Sequence, residues 1–311
     1  MKKVLKFSGL VLILGFVLLA VTPYLFKDRI VTLLKQNLNE NLEARTDFDD
    51  ISLSFFRSFP NLSARISGLR VDGIGAFHDT PLFHAEEISV AIDFWTILGE
   101  GPIRITSLQL ESPRINILVL ADGRANYDIV VSSAEESSDE TNGLRFDIDQ
   151  YELQSAHLRY EDQSLPMILA FDRFDHSGKG DFASMQFDLV TLTEVERFSL
   201  IYDGVTYFND ASVHLGATME MDLDQLRYTL KENKLNLNEL ELSGEGFIDL
   251  NDDDIELDLS FSTSKSDFRQ LVSVLPGAYV DDFNQVQIEG TFEAESQISG
   301  IYSDDQLPAF N

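Results

Sequence analysis

Side chains able to do chemistry are thinly spread along this chain. Its five histidines, His78, His84, His157, His176 and His214, form no HExxH or paired-ligand spacing. No G-x-S-x-G or P-loop occurs, and Gly73-Ile74-Gly75 lacks the third glycine of a dinucleotide fingerprint. Asn251-Asp252-Asp253-Asp254 has carboxylates that could attract calcium. The central glycine and terminal glutamate of an EF-hand loop are missing, so it reads as a solvated turn between strands. Asp147 with Asp149, and Asp222 with Asp224, sit two residues apart, which strand alternation would bring to one wet face. Paired carboxylates suit general acid/base work, but with no pocket in view the solvated-face reading is the better one. The chain has no cysteine, which removes disulfides, thiolate chemistry and a cysteine-borne lipid anchor. We expect no catalytic residue, no metal and no cofactor.

The elements that would position any other function begin with a membrane segment. From Phe7 to Phe26 there are 20 residues without a charge, between Lys6 and Lys27. A helix of that length rises about 30 Å, the thickness of a bilayer's hydrocarbon core. Its anchor residues are Phe7, Leu10, Leu12, Leu14, Phe16, Leu18, Val21, Tyr24 and Phe26. A cleaved signal peptide would have a shorter apolar core and a small-x-small site. Leu18-Leu19-Ala20-Val21-Thr22-Pro23-Tyr24 offers no clear one, so an uncleaved anchor is expected. Lys2, Lys3 and Lys6 place residues 1–6 in the cytoplasm and the body on the far side. Residues 1–30 carry a net +4, so the rest of this −30 chain carries −34. A body that acidic repels nucleic acid and anionic membrane surfaces.

After the anchor, residues 27–42 read as an amphipathic helix. Ile30, Leu33, Leu34, Leu38 and Leu42 form one apolar stripe, expected to pack on the start of the β body rather than on lipid. Period-two alternation then sets in over 47–131. Ile51, Leu53 and Phe55 alternate with serines; Leu62, Ala64 and Ile66, then Ile88, Val90 and Ile92, repeat the pattern. So do Leu108 with Leu110, and Ile115, Ile117 and Val119. One wet and one dry face per strand follows. Asp72-Gly73, Gly99 to Pro102, Ser112-Pro113 and Asp122-Gly123 are turn signals, and Phe94-Trp95-Ile97-Leu98 reads as one helical turn. Residues 132–143 hold no large apolar side chain and read as an acidic linker. Alternation resumes over 144–311, clearest in Ile255, Leu257, Leu259 and Phe261. Phe268, Leu271, Val272 and Leu275 predict a second helix stopped by Pro276-Gly277. Residues 105–115 and 148–158 look like two copies of one unit, sharing apolar positions and a Glu/Gln-Ser step.

Roughly 16 to 20 strands, about 4.8 Å apart, would span about 75–95 Å as one sheet, which normally curls, splits or closes. A sandwich or barrel would seal the dry faces in a core; a curled trough would leave them lining a groove. Periodicity does not separate these.

The order of features resembles the N-terminal region of the AsmA family of envelope proteins. The pieces are the single membrane helix, then Asp49-Asp50-Ile51-Ser52-Leu53-Ser54-Phe55-Phe56-Arg57-Ser58-Phe59-Pro60-Asn61-Leu62, Gly68-Leu69-Arg70-Val71 and Ala85-Glu86-Glu87-Ile88. Trp95-Thr96-Ile97-Leu98-Gly99, Leu108 to Ile117 and Asp122-Gly123-Arg124-Ala125-Asn126-Tyr127-Asp128 follow. The resemblance implies a mainly β body: a membrane helix, then a long, curled, mostly antiparallel sheet forming an open groove, with a few short helices. It also implies an inner-membrane anchor with the body in the periplasm, and phospholipid or outer-membrane assembly proteins as partners. Longer relatives would make this chain a fragment. The groove residues it implies are Ile51, Leu53, Phe55, Ile66, Ile88, Val90, Ile92, Leu108, Leu110, Ile115, Ile117, Val119, Leu158, Tyr160, Leu240, Leu242, Ile255, Leu257, Leu259 and Phe261. Two functions are open: passage of phospholipid acyl chains along that face, or a non-catalytic scaffold with a filled core that assists outer-membrane protein assembly.

Overall fold

A computed structural model describes residues 32, 44–58, 61–78, 80–98, 103–129, 144–250, 254–275, 289–303 and 306–311. The expected membrane helix 7–26, the linker 132–143, the stop at Pro276-Gly277, and residues 27–42 apart from Thr32 lie outside them. Among the described residues no helix is long and apolar enough to cross a membrane. The chain is mainly β with few helices, and it divides into two compact units, residues 1–109 with 129–146 and residues 110–128 with 147–311.

The first unit holds β1 (Arg45–Asp47), β2 (Asp50–Ser58), β3 (Asn61–Asp72), β4 (Pro81–Ile92), α1 (Phe94–Leu98) and most of β5 (Ile103–Glu111). β1 and β2 pair antiparallel with β3 one after the other, Thr46 opposite Val71 and Ile51 opposite Ile66. They are one strand interrupted where Gly68 adopts φ +64°. A Cβ there would stand 2.0 Å from an Asp49 carboxylate oxygen. The left-handed residue changes the side-chain rhythm, so the buried positions step by three across it, from Ile66 to Leu69. α1 is the helical turn expected from Phe94-Trp95, started by Asp93, whose carboxylate accepts from the Trp95 N–H at 2.9 Å.

The second unit orders β6 (Arg114–Val119), β7 (Leu144–Asp162), β8 (Met167–Lys179), β9 (Gln186–Tyr202), β10 (Val205–Asp222), β11 (Arg227–Leu237), β12 (Leu240–Asp249) and β13 (Ile255–Thr263) in one sheet. β14 (Ser266–Asp267) and β15 (Thr291–Phe292) pair separately, while β16 (Glu295–Tyr302) and β17 (Ala309–Phe310) extend the main sheet beyond β13. β6 runs parallel to β7 and the later pairs are antiparallel, so the sheet is mixed. Turn chemistry explains the hairpins. Asp203 and Gly204, at φ +49° and +75°, make a two-residue turn that matches strand twist. The Asp162 carboxylate accepts from Ser164 N–H and Oγ–H and from Leu165 N–H, and so braces the β7–β8 turn. The second helix, α2 (Phe268–Val272), starts with a capping box on Asp267 and Gln270. The Arg269 guanidinium and backbone N–H hold the Asp267 carboxyl at about 2.

The suspected repeat is a structural one. Ser112 and Ser155, equivalent in the two copies, share left-handed φ values of +48° and +50°. The parallel β6–β7 ladder aligns the copies in the same register, Ile115 opposite Leu158, and the His157 N–H donates to the Pro113 carbonyl at 2.8 Å. Asn126 adds bonds of its own to the β6 main chain. Its side chain accepts from the Leu118 N–H at 2.9 Å and donates to the Asn116 carbonyl at 2.7 Å, while its own N–H donates to the Leu118 carbonyl. Asn126 is 1% exposed, so removing its amide strands buried main-chain groups.

Asn126→Ala should therefore destabilise the protein by about 2–3 kcal/mol, read as a lower urea midpoint with unchanged slope. A pair of glycines gives a sharper contrast. Gly246 has φ +129°, and a Cβ there would lie 1.9 Å from the Asp258 carbonyl oxygen, whereas a Cβ at Gly216 meets nothing within 4 Å. Gly246→Ala should cost about 2–4 kcal/mol and Gly216→Ala less than about 1 kcal/mol in the same assay.

Candidate functional site

Strand register decides which side chains share a face. In the second unit one row crosses the ladder from Ile115 to Leu158, Phe171, Phe198 and Ala211. The next runs Ile117, Tyr160, Leu169, Leu200 and Phe208. Further along the sheet, Val213, Leu237 and Leu240 align, as do Leu215, Leu235 and Leu242, and Met221, Tyr228, Ile248 and Leu257. Leu259 stands between Gly246 and Ile298. All of these lie on one side of the sheet, because side chains directly opposite in a ladder point the same way. Phe198 stacks on Phe171 and Phe208 at ring distances of 5.0 and 5.4 Å, joining three strands.

The other side is ionic. Asp172 faces His157 at 3.0 Å and Arg197 at 3.6 Å, and Glu194 faces His214 at 3.3 Å. Lys231 bridges Asp188 at 2.6 Å and Glu220 at 3.1 Å, and both carboxylates raise its ammonium above the ordinary lysine value. The two faces thus differ, one mainly apolar and the other carrying cross-strand ion pairs, with Val190 and Leu192 exposed among them.

Burial separates the expected groove residues into two groups. In the first unit Ile51, Ile66, Ile88 and Ile92 are buried, with Leu53, Val90 and Leu108 half-buried; the Phe55 side chain lies outside the described ones. In the second unit Val119 and Leu240 are buried. Leu110, Ile115, Ile117, Leu158, Tyr160, Leu242, Ile255, Leu257, Leu259 and Phe261 remain half-buried. Among the described residues the strands touch chiefly their ladder neighbours.

Neither suspected acid pair stands together on the wet face. Asp147 and Asp149 share the side-chain parity of Tyr151 and Leu153, not of a wet face; Asp147 is 5% exposed while Asp149 is open to solvent. The reason is that β7 runs unbroken through these positions. Asp222 ends β10 and Asp224 lies in the turn beyond it. Asp222 spends its carboxylate accepting from the Asp224 and Gln225 N–H groups and from the Gln186 amide. Among the described residues no three acidic or histidine side chains are grouped to hold a metal ion.

One polar cluster was invisible in the spacing. The register sets Leu153 opposite His176 and His176 opposite Thr193, so the imidazole sits within the apolar face. Tyr151, one pair away, lays its ring across Gly178, where a Cβ would come within 2.4 Å of the ring. Its hydroxyl reaches His176 Nε2 at 2.9 Å, and His176 Nδ1 meets Thr193 Oγ1 at 2.8 Å. Burial lowers the His176 pKa and raises that of Tyr151.

A depressed histidine makes stability fall on acidification. Near neutrality His176 is uncharged in both states. As the pH drops below 6.5, its ordinary value, the unfolded chain binds the proton first, and stability is lost until the lowered folded value is passed. His176→Gln should flatten the urea midpoint between pH 7.5 and pH 5.5 relative to the parent; equal slopes would remove this histidine from the acid sensitivity.

No curated protein matches the chain. The sequence model of the AsmA family matches residues 1–274, well over half of the 311 residues, and spans both the buried first unit and most of the apolar face. The chain belongs to the AsmA family.

Proposed function

We propose that the apolar face of the second unit binds the acyl chains of phospholipids. The protein is anchored in the inner membrane by residues 7–26, holds its body in the periplasm, and supports phospholipid transport to the outer membrane or that membrane's biogenesis. Family membership is consistent with such a role. The observation that carries the reading is the half-buried state of an in-register apolar face crossing from β6 to β13. A protein core would bury such residues fully, and an apolar surface this extended needs an occupant. The opposite face, laced with ion pairs, keeps the body soluble. No catalytic step enters this reading: the chain supplies a surface, and specificity comes from chain length and packing. The residues of the first unit that are already buried hold that unit together instead of meeting lipid.

Photoreactive amino acids test this directly. In cells, a photoreactive residue at Ile117 or Leu257 should give phospholipid adducts, and one at Glu256 or Asp258 should not. Adducts at none of these sites, with the protein intact, would favour the scaffold with a sealed face. Leu257→Lys should lower lipid adducts severalfold while leaving the melting temperature within a few degrees, because an open face lets the ammonium reach water. A sealed core would instead unfold.

A further inference from the structure

The Tyr151–His176–Thr193 chain ends in an unused proton. Neutral imidazole has one donor and one acceptor nitrogen, so the two hydrogen bonds must run in one direction. The phenol is the more acidic hydroxyl and donates to Nε2. That leaves the proton on Nδ1, which donates to Thr193 Oγ1. Thr193 then accepts from the imidazole, and its own O–H, polarised by the chain behind it, is free to donate. Both nitrogens of His176 are taken, and Thr193 is half-buried on the face assigned to acyl chains. The adjoining row, Thr191, Ala217, Asn233 and Gly244, has small or polar side chains. On either side of this band the face is apolar again, with Phe174, Val195 and Val213 on one flank and Leu189, Met219 and Leu230 on the other.

We infer that Thr193 is a recognition point for the ester carbonyl of an acyl lipid, with Tyr151 and His176 as positioning residues that orient and strengthen its donor. An ester carbonyl is an acceptor with no proton to give, which suits a hydroxyl donor set on a face flanked by apolar rows. The small side chains of the adjoining row leave room for the glyceryl-ester portion, and the flanking rows take hydrocarbon. The face would then hold lipids at a defined station along its length. This inference rests on the acyl-chain reading above.

The test uses the full chain in a maltoside detergent, incubated with a fluorescent diester phosphatidylcholine or with its diether analogue, which lacks both carbonyls. The diester should bind about three- to tenfold more tightly, the worth of one net hydrogen bond. Thr193→Val should abolish that preference and Thr193→Ser should restore it. Tyr151→Phe should reduce it, and Thr206→Val, on the ionic face, should leave it unchanged. Equal affinity for the two lipids, or a preference that survives Thr193→Val, would overturn the inference while leaving the acyl-chain reading in place. If neither lipid binds, both readings fall.

Discussion

Strand register is the constraint on which this molecule depends. Side chains alternate with a period of two, so a slip of one residue in any ladder would carry a whole strand's apolar set to the ionic face. The long strands would drift out of phase with their own sequence pattern without correction, and left-handed residues supply it. Ser155, Arg173 and Asp210, at φ values of +50°, +48° and +55°, interrupt adjacent parts of the ladder. Each sits where the pairing shifts, so Leu153 and Ala156, Phe171 and Phe174, and Phe208 and Ala211 fall on one face although they are three residues apart. Gly68 does the same in the first unit.

The same register explains how the body combines an apolar face with a strongly acidic composition. Carboxylates that would repel one another in a random arrangement are placed opposite cations on neighbouring strands, as at Asp172, Glu194 and Asp188. Each exposed pair contributes little stability. Their collective effect is to favour solvent on one side of the sheet. Asn126 and the braced turns at Asp162 and Asp222 work at the ends of the ladder, where main-chain groups would otherwise lack partners.

The two units use one pattern for different ends. In the first, Leu62, Ala85 and Ile92 are buried almost completely, as in a packed core. In the second, the equivalent alternation leaves most of its apolar side chains half-buried, and the polar chain of Tyr151, His176 and Thr193 interrupts them. Burial, and not the alternation, distinguishes the residues that hold a unit together from those available to a ligand.

Much of this was legible in the residues themselves. Alternation in stretches such as Ile255 to Phe261 is enforced by backbone geometry, and it announced strands with one dry side. The helical turn at Phe94, the helix beginning after Asp267, the turn at Asp122-Gly123 and the repeat with its Glu/Gln-Ser step were likewise local, and local chemistry dictates them. The ordered motifs from Asp49 to Asp128 pointed to the family. The candidate site was only partly legible. Its apolar members could be named, but the pairing of Tyr151 with His176, the bonds of the Asn126 amide to the β6 main chain, and the burial of Asp147 beside an exposed Asp149 could not. Those depend on which strands become neighbours and in what register, and on bulges that reset the side-chain phase. Contacts between residues 17 to 25 positions apart carry no periodic signal in a chain. The sequence by itself determined that there would be strands with an apolar side. The tertiary structure decided which of those sides would be buried, which would stay open, and where a hydroxyl would face it, because only the assembled ladder sets neighbours and solvent access.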